Sequence, residues 1–287
     1  MTELNSEGYF SEVFSSIQGE GGTVRGSCFG KRQIFVRFSG CNLASGDFDS
    51  KGCFWCDSPG AKLINVDKFK HEEVPGSQQL KNSENPATIS KIIKIIKKLI
   101  TPDLHSISFT GGEPLYQIVP VLNLAKSMKE AKLKFPLYLE TNGSVVISEN
   151  QINELASYFK YCCCDIKDKS ANAAPLKKWK ALAEAELSFI KKMVANDVHT
   201  FAKLVVTSQT DLQDIRWICK SLSKISYSNG EIVGLAVQPV TLEKEGLKDL
   251  FSISTRQFNE IFYAAAEFLP PESLTLSIQA HKYLKLL

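Results

Sequence analysis

Six short apolar runs, separated mostly by stretches of helical periodicity, restrict this 287-residue chain more than any other feature. The runs lie at residues 34–39, 107–110, 137–141, 161–165, 202–207 and 233–238. Helices are expected between them near 118–131, 149–159, 174–195 and 211–222. Strands with helices between them cannot be tight hairpins, so the spacing predicts a parallel βα layout. Periodicity alone leaves both an open sheet and an incomplete barrel available. Before these units, residues 9–17 read as a short strand. Ile89, Ile92, Ile93, Ile96, Leu99 and Ile100 fall at helical spacing, with Lys91, Lys94, Lys97 and Lys98 between them as a solvated face. Ser254 and Gln257 form a capping box ahead of a last helix through Phe268. Residues 60–87 show no periodicity and read as loop and irregular structure.

Parallel βα layouts bind ligands at the carboxyl ends of their strands, and the unusual residues of this chain fall there. Arg37 and Cys41 follow the first run, Gly111, Gly112 and Glu113 the second, residues 140–144 the third, Asp165 and Lys167 the fourth, and Gln238 the sixth. Cys41, Cys53 and Cys56 lie within sixteen residues directly after the first strand. Thiolates suit soft metals and iron–sulfur clusters, and the two-residue gap between Cys53 and Cys56 lets one turn point both sulfurs at one centre. A four-iron cluster on three thiolates leaves one iron open to a ligand that is not protein. Structural zinc with a histidine as fourth ligand is the other reading of the same cysteines.

Composition adds exclusions. Eight cysteines in a chain of this length, three of them consecutive at Cys162, Cys163 and Cys164, do not form a disulfide framework. These three, with Cys28 and Cys219, are expected to be small buried residues. The polar start and the lack of a long uncharged apolar run argue against a signal peptide or a membrane span. The expectation is a soluble cytoplasmic protein with no membrane and no nucleic-acid partner; a net charge of +3 indicates little else. His71, His105 and His199 have no motif context.

Together these motifs resemble the radical S-adenosylmethionine superfamily: three clustered cysteines, Trp55 just before the last of them, and Gly-Gly-Glu-Pro from 111 to 114. Ile-Gln-Gly-Glu-Gly at 17–21, Phe-Val-Arg-Phe-Ser-Gly-Cys at 35–41, Cys-Asp-Ser at 56–58, Gln-Pro-Val at 238–240 and the Gln-Ala-His-Lys-Tyr at 279–283 narrow this to the 7-carboxy-7-deazaguanine synthase family. The resemblance implies an incomplete TIM-type barrel of about six parallel strands with helices outside. It implies one domain over 1–287, with an extended cluster loop at 42–52 and extra length near 61–85 and 170–200 that has no assigned role.

The implied activity is radical conversion of 6-carboxy-5,6,7,8-tetrahydropterin to 7-carboxy-7-deazaguanine, a ring contraction with loss of ammonia. Cys41, Cys53 and Cys56 would hold a [4Fe-4S] cluster whose open iron takes S-adenosylmethionine. Reductive cleavage of that cofactor yields the radical that abstracts hydrogen, so no side chain is expected to act as catalytic acid or base. Trp55, Cys56 and Asp57 would line the adenosyl group, and Gly111, Gly112 and Glu113 the methionyl group. Asp165, Ile166, Lys167, Gln238, Pro239, Val240 and Thr241 would also bound the cofactor. Ser58 would offer its hydroxyl to Mg²⁺. Ile17, Gln18, Gly19, Arg37, Thr110 and the terminal Leu287 would hold the pterin, Arg37 through its carboxylate. His281 would be orienting or structural. A homodimer and an electron donor such as flavodoxin or ferredoxin are also implied.

The chain departs from the family pattern in places. Eleven residues separate Cys41 from Cys53, far more than in the commonest superfamily pattern. Closing the longer loop costs only about 1 kcal/mol, against roughly 10 kcal/mol from a metal–thiolate site. Asp165-Ile166-Lys167 stands where these synthases often have Ser-Pro-Lys, which favours Lys167 over Asp165 as a functional residue. An activating enzyme for glycyl-radical proteins shares the cysteines and Gly-Gly-Glu-Pro, but has no need of the Gln18 region, Arg37 or the His281 segment. A non-catalytic protein with a structural metal site is the remaining alternative.

Overall fold

The computed structural model describes residues 6–242, 248 and 250–287. Its strands are β1 (Glu7–Gly8), β2 (Phe10–Ile17), β3 (Arg32–Phe38), β4 (Lys68–Glu72), β5 (Leu80–Glu84), β6 (Ala87–Thr88), β7 (Leu104–Gly111), β8 (Leu137–Thr141), β9 (Phe159–Ile166), β10 (His199–Val206), β11 (Gly234–Pro239) and β12 (Leu274–Leu276). The main helices are α1 (Ile89–Lys98), α2 (Ile118–Glu130), α3 (Glu149–Tyr158), α4 (Leu176–Ala195), α5 (Leu212–Leu222) and α6 (Thr255–Ala266). A ten-stranded sheet has the order β12-β11-β10-β9-β8-β7-β3-β2-β4-β5. From β3 to β12 every neighbouring pair is parallel, in chain order. β2 pairs antiparallel with β3 and parallel with β4, and β4 and β5 form an antiparallel hairpin. The fold is therefore α/β with a mostly parallel central sheet.

All six strands expected from the sequence are present, as β3 and β7–β11, and the strand expected over 9–17 is β2. Two pieces of the ten-stranded sheet were not legible. β12 is three residues long, too short to carry a period. The hairpin β4–β5 corrects the reading of 60–87 as loop: it lies at the sheet edge, and only Phe69 and Glu72 of its ten strand residues are buried, so its sequence is mostly polar. Glu72 is satisfied by the backbone N–H groups of Ser15 (2.9 Å), Gly76 (3.1 Å) and Gln78 (2.7 Å), which fixes the hairpin on β2.

Strand alternation divides the molecule into two faces. Leu137 and Leu139 of β8, Cys162, Cys164 and Ile166 of β9, Ala202 and Leu204 of β10, and Leu235 and Val237 of β11 join the large core beneath the helices. The intervening residues Tyr138, Cys163, Phe201 and Ala236 form a smaller cluster with Val24 and Cys28. Each helix adds one apolar stripe. α1 buries Ile89, Ile92, Ile93, Ile95 and Ile96, each side chain stabilising by about 1.5–3 kcal/mol. Thr88 caps it by accepting from the Lys91 N–H, and Lys94, Lys97 and Lys98 face solvent. Ser254 and Gln257 form the expected capping box of α6, and Ser148 and Gln151 form a second one at α3. Among the described residues no helix is long and apolar enough to cross a membrane.

Candidate active site

The residues that point away from the helices in the last turns of β3 and β7–β11 converge on one cavity of about 210 Å³. Arg37, Thr110, Glu140, Asp165, Lys203, Val205 and Gln238 come from six successive strands and line it. Ile17, Gln18, Gly19, Trp55, Asp57, Ser58, Gly111, Gly112, Glu113, Lys167, Val240, Thr241, Leu287 and all three of Cys41, Cys53 and Cys56 line it as well. Two expected residues are placed elsewhere. The side chain of Ile166 lies on the opposite face of β9, in the helix-side core, as alternation between Asp165 and Lys167 requires. Pro239 ends β11 and does not line the cavity.

The long loop after β3 is closed at its base by backbone pairing. Gly40 N–H donates to Ala61 O (2.8 Å), Cys41 N–H to Lys62 O (3.1 Å) and Glu113 N–H to Gly40 O (2.7 Å). Gly112 is forced to be glycine by this stacking, because a Cβ there would lie 2.3 Å from Ala61 O and 2.4 Å from Gly40 O. Within the loop, Asn42 donates to Ser144 Oγ (3.0 Å) and accepts from Asn142 Nδ2 (2.9 Å). Its apolar side rests on the region left unassigned from sequence. Leu43 packs with Ala171, Ala173, Ala174 and Leu182, and Cys41, Phe48, Cys53 and Trp55 pack against that group. The extra length near 170–200 thus includes the bed on which the cysteine loop lies.

All three cysteines are free thiols. Burial pushes the Cys41 thiol up and the Cys53 thiol up to about 11, so a metal binding here displaces a proton from Cys53. Among the described residues no three His, Cys, Asp or Glu side chains gather as ligands around one ion. A cluster asks for something else, one thiolate on each of three irons, and so for three sulfurs spaced around a shared cavity. The donor set is soft, free and cavity-lining, and it fits such a group.

Glu113 acts on the scaffold. It accepts from Leu115 N–H (2.9 Å), Thr141 Oγ1 (2.7 Å) and Asn142 N–H (2.7 Å), joining the turns after β7 and β8. Burial pushes its carboxyl up to about 7, against the pull of those hydrogen bonds. Arg37 donates from Nε to Glu12 (3.2 Å) and from Nη1 to Ser58 Oγ (2.9 Å), and Ser58 donates to Asp57 (3.1 Å). Burial raises the Asp57 carboxyl, but Lys203 and Arg37 outweigh it and hold it below the usual range. Gln18 donates to Glu140 Oε1 (2.6 Å) and to Gln33 (3.2 Å). The C-terminal segment closes over Gly19, whose carbonyl accepts from Ala280 N–H (3.0 Å). A Cβ at Gly19 would lie 2.4 Å from Nδ1 of His281, so the close approach needs glycine.

Polar cavity residues that the sequence did not assign to a ligand include Glu20, Lys62, Glu140, Lys203 and Gln279. Lys203 had a signal that was available. It is the one charged residue in the run 202–207, and alternation puts it on the face shared with Phe201 and Val205.

Comparison with known proteins bears on this site. Residues 17–186 match the model of a 4Fe-4S single cluster domain. A 7-carboxy-7-deazaguanine synthase of Thermococcus kodakarensis is 36% identical over 278 residues, covering 96% of this chain and 98% of the relative. The chain belongs to the 7-carboxy-7-deazaguanine synthase family. A second relative of that name, from Methanocaldococcus jannaschii, is 34% identical over 277 residues, covering 96% of this chain and 99% of the relative. A crystal structure of QueE from Escherichia coli shares the fold, with a TM-score of 0.53 at 19% identity over 96% of this chain and 95% of that one. The near-complete coverage in both directions shows that these two relatives are about as long as this chain.

Leu182 ties the bed to the cluster loop. Leu182→Ala is expected to lower stability by about 2–5 kcal/mol in chemical unfolding of the apoprotein, and to lower the iron retained after reconstitution. Unchanged iron retention at reduced stability separates the loop from its bed.

Proposed function

We propose that this chain converts 6-carboxy-5,6,7,8-tetrahydropterin to 7-carboxy-7-deazaguanine with loss of ammonia, as a lyase of 7-deazapurine biosynthesis. The observation that carries the reading is one cavity at the strand ends lined by three free cysteines, a glycine cradle at Gly111–Gly112 and, beside them, Arg37, Gln18 and the C-terminal segment. Cys41, Cys53 and Cys56 would hold the [4Fe-4S] cluster, and Gly112, Trp55, Asp57 and Lys167 would hold S-adenosylmethionine beside it. When bound, this pair supplies the one-electron chemistry that starts the rearrangement by hydrogen-atom abstraction.

The protein's own part is binding, orientation and exclusion of water. Arg37 would pair its fork with the pterin carboxylate. Ser58, which accepts from Nη1 of Arg37, would offer its hydroxyl to Mg²⁺ once that guanidinium is engaged by the carboxylate, because a cation beside a free guanidinium is opposed by its charge. Gln18, Thr110 and Glu140 present polar edges to the pterin ring, and His281 and Leu287 cover the opening. The barrel reading belongs here too: seven parallel strands in unbroken chain order suit a partial barrel of one domain better than a doubly wound sheet, whose order reverses. A cytoplasmic homodimer supplied with electrons by a small redox protein completes the proposal.

Anaerobic reconstitution with iron and sulfide, followed by reductant, S-adenosylmethionine and the pterin, tests it. The expected products are 7-carboxy-7-deazaguanine and ammonia. Deoxyadenosine without any deazapurine refutes the substrate, and about one zinc per chain without sulfide refutes the enzyme.

A further inference from the structure

Lys203 stands between two carboxylates that belong to different parts of the cavity wall. Its ammonium is 2.5 Å from Oε2 of Glu20 and 3.1 Å from Oδ1 of Asp165, with 12% of the side chain exposed. Asp165 is on β9 and is held independently by Lys167 at 2.8 Å. Glu20 is on the glycine-rich loop after β2, and its other oxygen accepts from the side-chain amides of Gln279 (2.7 Å) and Gln238 (3.3 Å). Gln279 also donates to Asp57 (3.2 Å), and Ser277 of the same C-terminal stretch donates to Gln238 (2.7 Å) while accepting from Gly21 N–H (2.9 Å). Glu20 is thus the hub that joins the loop to the C-terminal segment. Lys203 brings a cation to that hub and leads from there to β9.

We propose that Lys203 is a positioning residue that locks the 18–22 loop and the C-terminal segment over the cavity, coupling the pterin side of the site to the cofactor side at Asp165 and Lys167. The proposal rests on the activity proposed above. Its physical basis is an asymmetry. Without the ammonium, two carboxylates that are mostly shielded from solvent face one another, where like charges repel. Asp165 keeps Lys167 and stays in place. Glu20 keeps the neutral amides of Gln279 and Gln238, so the loop and the C-terminal segment take the loss. Removal of Lys203 therefore damages pterin binding and the coupling of cofactor cleavage to product, and leaves cofactor binding nearly intact.

The test compares reconstituted wild type with Lys203→Met, Lys203→Arg, Glu20→Gln and the double variant Glu20→Gln/Lys203→Met. In Lys203→Met the KM for the pterin is expected to rise about ten- to a hundredfold, the KM for S-adenosylmethionine to stay within about twofold, and deoxyadenosine formed per deazapurine to increase. Lys203→Arg keeps the charge and recovers most of the coupling. The double variant is less impaired than Lys203→Met, because no unpaired carboxylate remains. Glu20→Gln cuts the same link from the loop side and shows the same asymmetry, so it carries the test if Lys203→Met does not fold. Equal rises in both KM values, an unchanged pterin KM, or a double variant whose losses multiply each overturn the proposal. Wild-type turnover tests the activity itself, whereas the ratio of the two KM values tests Lys203.

Discussion

Cys53→Ala is expected to abolish cluster assembly: reconstituted iron should fall from about four per chain to less than one, and deoxyadenosine formation to background. Two thiolates cannot replace three. The Cys53 thiol, pushed up to about 11, shows that its surroundings favour an uncharged sulfur unless a metal compensates. Cys163 is the control, because it also lines the cavity but sits in mid-strand on β9 among Tyr138, Phe201 and Ala236. Cys163→Ala should keep its iron and lose only the packing of one sulfur, about 1–2 kcal/mol. Iron retained in Cys53→Ala, or lost in Cys163→Ala, contradicts the assignment of ligands.

Arg37→Ala should separate substrate binding from cofactor chemistry. Its guanidinium reaches Glu12 and Ser58 without touching a cysteine, so iron content and uncoupled deoxyadenosine formation should stay near wild type. Losing a charge-assisted fork costs about 2–5 kcal/mol of binding, which raises the KM for the pterin by roughly thirtyfold or more. Arg37→Lys should recover only part of this, since a single ammonium cannot pair with both carboxylate oxygens. Loss of the cluster in Arg37→Ala would show that Arg37 supports the loop through Ser58 and not the substrate.

Much of the site was legible because the strand ends are short in sequence and rich in chemistry. Arg37, Cys41, Gly112, Asp165, Lys167 and Gln238 follow apolar runs that can only be strands, and a parallel layout gathers such positions at one rim. What sequence missed falls into two physical kinds. The hairpin β4–β5 is polar because it covers an edge, so its strands lack the alternation that a buried face imposes. Glu20, Lys203 and Gln279 are distant in sequence and meet only across the cavity, and no local pattern marks a contact that spans 183 positions.

By itself, then, the sequence determined the parallel βα order, the three sulfur donors and the glycines around them, since these depend on local periodicity and on the chemistry of single residue types. Only the tertiary structure decided which side chains share the cavity. It brought Lys203 and Gln279 onto Glu20, and laid the cysteine loop on Leu182 and its neighbours. The physical reason is that a buried charge is tolerated only where its partners converge, and convergence is a property of the folded sheet.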